Sequence, residues 1–159
     1  MGRVLGVDLG LKRTGLAVSD GVGITSRGLP NLTPRSRAED VATLVKLCAD
    51  EEVADVVIGL PLSPRSGDVS PMAKRAMGFA QALTDALAST SVKVHLVDER
   101  GTSKLASARL VQSDVKKGDR RALLDSEAAR ILIELFVDSG PTTTMTATTS
   151  QTTAQTTTA

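Results

Sequence analysis

Apolar positions along the chain change period several times, and each change marks an element. Arg3–Leu9 (RVLGVDL) and Thr14–Asp20 (TGLAVSD) are short apolar-rich runs joined by Gly10-Leu11-Lys12-Arg13, which predicts a β-hairpin. A third, weaker strand is expected near Ile24–Leu29, ahead of the breakers Pro30 and Pro34. Ser36-Arg37-Ala38-Glu39 is a capping-box sequence, and Val41, Leu44, Val45 and Cys48 follow on one helical face. Asp55–Leu60 (DVVIGL), closed by Pro61, predicts a buried strand. From Ser70 to Ala88, Met72, Ala76, Phe79, Ala80, Leu83 and Leu87 recur at helical spacing. Val92–Val97 is a strand running into Asp98-Glu99, and Thr102–Val111 and Leu124–Val137 predict two further helices. The order β-β-β-α-β-α-β-α-α specifies an α/β domain on a mixed five-stranded sheet that opens with a hairpin.

Beyond these elements the composition changes. From Pro141 to Ala159 nearly every residue is Thr, Ala, Ser or Gln, with Met145 the one large apolar side chain. Such a tract buries too little surface to offset its ordering entropy. Residues 1–139 are therefore expected to form one domain and 140–159 a disordered tail. A length of 159 residues fits one domain at roughly 150 residues each. No apolar run approaches the ~18 residues of a membrane helix, and the amino terminus enters a strand pattern at once, unlike a signal peptide. A cytoplasmic protein with no membrane association is expected.

Composition narrows the chemistry further. One Cys and one His can form neither an internal disulfide nor a Cys/His zinc site. With 19 basic and 18 acidic residues, net charge points to no partner. Two Phe and no Trp or Tyr argue against a base-stacking platform for single strands.

Four acidic residues at three places in the chain stand out. Asp8 falls within the first strand, where a carboxylate is costly unless a partner or metal compensates it; the rival is a residue capping the hairpin. Asp98 and Glu99 end a strand, a place where loop and cap carboxylates are common. Asp125 shares a helical stripe with Ala129, Leu132 and Phe136, while Glu127, Arg130, Glu134 and Asp138 occupy another face. That stripe would aim Asp125 at the sheet, although Asp also favours helix starts. Acids gathered there would raise one another's pKa, a penalty that a divalent cation removes. Oxygen donors without His or Cys suit Mg²⁺ or Mn²⁺, and a pair of such ions can drive phosphodiester hydrolysis.

Local charge is less even than the total. Between Arg100 and Arg121 lie seven basic residues (Arg100, Lys104, Arg109, Lys116, Lys117, Arg120 and Arg121) against the acidic Asp114 and Asp119. With Lys12 and Arg13 in the hairpin turn, this fits a surface that contacts phosphates beside a metal centre; the alternative is a solvated loop. Gly10, Gly15 and Gly59 are expected to serve turns and close packing, since no Walker-A or complete dinucleotide-binding pattern is present. His95, Cys48, Phe79 and Phe136 are expected in the core.

Taken in order, four segments resemble the YqgF/RuvX family. Asp8-Leu9-Gly10-Leu11-Lys12-Arg13-Thr14-Gly15 looks like its DxGxKRxG opening, and Ile58-Gly59-Leu60-Pro61-Leu62 its GLP segment. Asp98-Glu99-Arg100-Gly101-Thr102-Ser103 resembles its DERxTS motif, and Asp125-Ser126-Glu127-Ala128-Ala129 its DxxAAxxIL helix. The resemblance implies an RNase H-like fold with helices on both faces of the sheet. It also implies a nuclease that processes the 5′ end of precursor 16S ribosomal RNA, with Holliday-junction resolution as an alternative. Asp8, Glu99 and Asp125 would be the catalytic, metal-binding acids, with Asp98 the competitor of Glu99. Lys12, Arg13, Arg100, Thr102, Lys104, Lys116, Lys117, Arg120 and Arg121 would contact structured RNA or branched DNA. Pre-ribosomal particles are the implied setting, and a resolvase cutting both strands would act as a homodimer.

Two other classes compete. A ribosome-assembly factor that binds nucleic acid without cleaving it would not need clustered acids. An actin-like phosphotransferase also opens with a DxG hairpin, but it closes two such domains around a nucleotide, and this chain supplies one.

Overall fold

A computed structural model of the protein describes residues 2–23, 25–62, 69–99, 105–109 and 117–148, with the backbone alone described over 117–122. The strands are β1 (Arg3–Asp8), β2 (Thr14–Ser19), β3 (Ser26–Leu32), β4 (Val53–Leu60), β5 (Lys93–Asp98) and β6 (Thr143–Thr144). The helices are α1 (Arg37–Asp50), α2 (Pro71–Ala86) and α3 (Lys117–Ser139), with a further helical segment at 105–109.

One mixed sheet runs in the order β3-β2-β1-β4-β5-β6. β1 pairs antiparallel with β2 and β2 with β3, while β1, β4 and β5 are mutually parallel. The period-two alternation of β1 supplies both faces. Leu5 and Val7 join Val56, Ile58, Val94 and Leu96 beneath α1 and α2. Val4 joins Ala17, Val57 and Val97 beneath Ala129, Leu132 and Ile133 of α3. Helices therefore cover both faces, as α/β layering requires. Each fully buried Leu or Ile in these layers contributes roughly 1.5–3 kcal/mol.

The caps agree with the sequence. The Ser36 hydroxyl accepts from the Glu39 backbone N–H, and the Glu39 side chain accepts from the Ser36 backbone N–H, completing the capping box of α1. Ser70 caps α2, with Pro71 at its first turn. Phe79 and Cys48 are core residues, and burial pushes the Cys48 thiol up to about 11.

Three features differ from expectation. β3 continues through Pro30 to Leu32 rather than stopping at Leu29. Proline is tolerated because β3 is the outer strand of the sheet, and the register with β2 slips between Thr14 and Leu16, opposite Pro30 and Asn31. Helix α3 starts at Lys117, well before Leu124. Of the predicted helix Thr102–Val111, only 105–109 falls among the described residues, and it is helical. The sheet has six strands rather than five, because the first part of the Thr-rich tail pairs with β5. Disorder from residue 140 onward thus does not describe residues 142–148. The free edge of β5 offers backbone partners there, and Met145 supplies one apolar anchor against the core. Residues 149–159 lie outside the described residues.

Candidate active site

Because β1, β4 and β5 are parallel, their carboxyl ends meet at one rim of the sheet, where open α/β sheets place ligands. Alternation decides what faces inward there. Val4 and Gly6 of β1 lie against α3, so Asp8 at the end of β1 faces α3 as well. Val97 of β5 also lies against α3, which sends Asp98 to the opposite face and returns Glu99 to the side of Asp8. Of the two, Glu99 is the one that shares a side-chain hydrogen bond with Asp8.

This pair is electrostatically strained. Burial foremost, then the Asp8 charge and hydrogen bond, and then Asp98, push the Glu99 carboxyl up to about 8. Burial also raises Asp8, opposed by the bond from Glu99 and reinforced by the charge of Asp125. Near neutral pH Glu99 keeps its proton and donates it to the Asp8 carboxylate. Two acids that share a proton in a half-buried rim cost stability once both ionise, and carboxyls perturbed in this way cluster at functional sites.

Asp125 approaches from α3. The stripe Asp125, Ala129, Leu132 and Phe136 packs onto the sheet, and the Asp125 main chain rests against the bare Cα of Gly15, the register partner of Asp8. A Cβ on Gly15 would stand 2.9 Å from Asp125 Cβ, too close for any side chain. The Asp125 carboxylate is held by two donors: Arg13 Nε at 2.8 Å and Asn31 Nδ2 at 3.4 Å. Among the described residues no three acids enclose one ion together, because Asp125 turns to Arg13 while Asp8 and Glu99 turn to each other. The donor set nevertheless fits a hard divalent cation. It offers carboxylate oxygens alone, and a cation would replace both the shared proton and the Arg13 counter-charge. His95 is no part of it; its ring nitrogens meet Asp55 Oδ1 at 2.8 Å and Thr144 Oγ1 at 2.9 Å.

The basic residues divide. Lys12 is exposed at the hairpin tip, and Arg13 is committed to Asp125. Arg100, Thr102, Lys104 and Lys116 lie outside the described residues. Lys117, Arg120 and Arg121 occupy the opening turns of α3, where only the backbone is described. Arg109 does not belong to a phosphate-facing surface. It bonds Glu134 Oε2 at 2.7 Å and Glu127 Oε1 at 3.3 Å, tying the 105–109 segment to α3, where Ala106 packs on Ala128 and Ile131.

Sequence reasoning missed two contributors. Asn31 reaches Asp125 from the irregular end of β3, and its one signal was a Pro-Asn pair on an edge strand. Arg75 of α2 donates to the Gly10 carbonyl at 3.2 Å and so braces the β1–β2 turn, which local pattern does not reveal. Gly59, expected to serve turn geometry or close packing, provides the space in which the Glu99 carboxylate sits.

The fold is of the RNase H-like class. The structure is similar to that of T. thermophilus RuvC in complex with a Holliday junction substrate, with a TM-score of 0.58 over 89% of this chain and 99% of that one, at 15% identity. The chain belongs to the family described as "RuvX: Holliday junction resolvase", whose model matches residues 2–139. A protein of Myxococcus xanthus named "Putative pre-16S rRNA nuclease" is 36% identical over 137 residues, covering 86% of this chain and 88% of that protein. One from Anaeromyxobacter dehalogenans with the same name is 41% identical over 136 residues, covering 86% of this chain and 96% of that protein.

Proposed function

We propose that the protein is a divalent-metal-dependent endonuclease that hydrolyses phosphodiester bonds in structured nucleic acid, processing the 5′ end of precursor 16S ribosomal RNA. The observation that carries this reading is the half-buried Asp8–Glu99 carboxyl pair beside Asp125. Such a grouping lowers stability and has no use in binding a polyanion, whose phosphates it would repel. Family membership and the names of the relatives support the same reaction class. No described helix is long and apolar enough to cross a membrane, which is consistent with action in the cytoplasm.

Asp8, Glu99 and Asp125 would hold Mg²⁺ or Mn²⁺, which supplies Lewis-acid activation of water and neutralises charge on the leaving oxygen. The chain's own part is positional. Gly59 leaves the space that seats Glu99 opposite Asp8, and α3 lies flat on Gly15 so that Asp125 reaches the same rim. Glu99 must give up the proton it shares with Asp8 before both can act as anionic ligands. Lys12 and the basic opening of α3 would contact the sugar-phosphate backbone, contacts that carry no sequence information. Specificity then follows substrate shape, as for most structured RNA.

Branched DNA is the alternative substrate, favoured by the family's description as resolvases. One experiment separates the readings: wild type and Asp8→Asn on a precursor-rRNA fragment and a four-way junction, with Mg²⁺, Mn²⁺ or chelator. The proposal expects cleavage of the RNA, dependent on metal and lost in Asp8→Asn while binding persists. Junction cleavage alone would move the substrate to DNA. Metal-independent binding without product would leave a non-catalytic assembly factor.

A further inference from the structure

We propose that residues 142–148, which lie beyond the stretch matched by the family model, belong to the working site: they form a strap along β5, and Thr142 is a positioning residue for Glu99. The inference rests on the nuclease reading for its catalytic consequence but on geometry for its substance.

The strap is held along its whole length. Thr142 N donates to Leu96 O at 2.9 Å and Met145 N to Val94 O at 2.8 Å, so β5 has backbone partners on both sides. Met145 packs against the core beneath α2. Beyond it, Gln81 Nε2 donates to Thr146 O at 3.0 Å, and Thr148 N donates to Asp85 Oδ1 at 2.7 Å. The Thr144 hydroxyl meets His95 Nδ1 at 2.9 Å, and His95 continues to Asp55 on β4. A Thr-rich composition suits this role, because β-branched residues favour extended backbone and each hydroxyl can both donate and accept.

The link to the site is the bond from Asp98 N to Thr142 Oγ1 at 3.1 Å. The next amide, Glu99 N, donates to Leu60 O at 3.2 Å. Thr142 and Leu60 therefore fix the two peptide planes that flank Asp98 Cα, one from the strap and one from β4. The direction in which Glu99 leaves the sheet is set by those two planes. Without the Thr142 hydroxyl the Asp98 amide loses its bond to the strap. A carboxylate that must stay over Gly59 to meet Asp8 tolerates little such freedom, since small displacements of a catalytic group carry large kinetic penalties.

The test uses the full chain with Thr142→Val, which keeps the shape and removes the acceptor, and Thr142→Ser, which restores it. Backbone amide exchange by NMR and the Glu99 carboxyl ¹³C shift are read without metal; Mn²⁺ affinity and cleavage are read with it. Thr142→Val should exchange the Asp98 amide about five- to tenfold faster. It should also shift the Glu99 carboxyl signal, weaken Mn²⁺ binding severalfold, and lower kcat with KM nearly unchanged. Thr142→Ser should return every value towards wild type, and Met145→Ser, which loosens the strap elsewhere, should move them as Thr142→Val does. Unchanged exchange and an unchanged Glu99 signal in Thr142→Val would overturn the proposal. So would faster exchange with Mn²⁺ binding and kcat at wild-type values. If wild type neither binds Mn²⁺ nor cleaves, the nuclease reading fails, and the exchange and carboxyl signals still decide whether the strap positions Glu99.

Discussion

Glu99 occupies the space that a side chain on Gly59 would take: a Cβ there would stand 2.9 Å from Glu99 Cδ. The two residues sit on neighbouring parallel strands, and Gly59 pairs in register with Val97, two residues before Glu99. Gly59→Ala would meet the mobile end of a side chain and the Leu132 Cδ1 methyl, so the fold gives way at the carboxylate. Alanine in a strand is favoured over glycine by roughly 0.5–1 kcal/mol. Gly59→Ala should therefore melt within a few degrees of wild type yet lose cleavage by about two orders of magnitude. Wild-type turnover in a well-folded Gly59→Ala protein would contradict the role given to Glu99.

Gly15→Ala should fail in the opposite way. Its Cβ would meet the Asp125 backbone carbonyl, which belongs to a helix and cannot rotate aside. Overpacking of this kind costs about 1–3 kcal/mol. Thermal unfolding should show that loss directly, together with reduced activity because α3 and Asp125 lift from Asp8. A stability equal to wild type would mean that α3 does not rest on β2 as described.

Most of the fold was legible because it depends on periodicity: β1, β2, β4, β5 and the capped helices α1 and α2 all follow local patterns. The convergence of Asp8 with Asp125 was also readable, since the helical stripe of Asp125 is the one that packs on the sheet. What local pattern could not provide was the phase of each strand. Choosing Glu99 over Asp98 required knowing that Val4, Gly6 and Val97 share a face, a property of the assembled sheet. Pro30 stopped β3 on paper because its tolerance depends on β3 being outermost. The strap escaped notice because its composition is that of a disordered tract, and its order comes from an edge that exists only once β5 is in place.

The shared proton makes stability pH-dependent in a definite direction. The Glu99 carboxyl is raised from 4.5 to about 8, so the native state binds its proton more tightly than the unfolded chain does. That contribution is complete below the lower value and disappears as pH rises through the upper one; Asp8, also raised, acts in the same sense. Metal-free protein should lose melting temperature steadily between about pH 5 and pH 8. Glu99→Gln, which cannot ionise, should flatten the profile, and Mg²⁺ should restore stability at the alkaline end. A wild-type profile that rises over this interval would show that the two carboxyls are not paired.

Arg13 offers the last test, because it serves Asp125 in the structure and was expected to serve phosphate. With side chains 45% and 22% exposed, the Arg13–Asp125 pair contributes no more than ~1 kcal/mol. Arg13→Gln should therefore leave the melting temperature almost unchanged. Removing a positive charge beside the acids should tighten Mn²⁺ binding severalfold in calorimetry, since the cation no longer competes with a guanidinium. A cation held by Asp125 would free Arg13 to reach the substrate. The slope of log affinity for nucleic acid against log salt should then fall by about 1 in Arg13→Gln, as for the loss of one phosphate contact. Tighter metal binding with an unaltered salt slope would confine Arg13 to its place beside Asp125 and leave Lys12 as the contact from the hairpin turn.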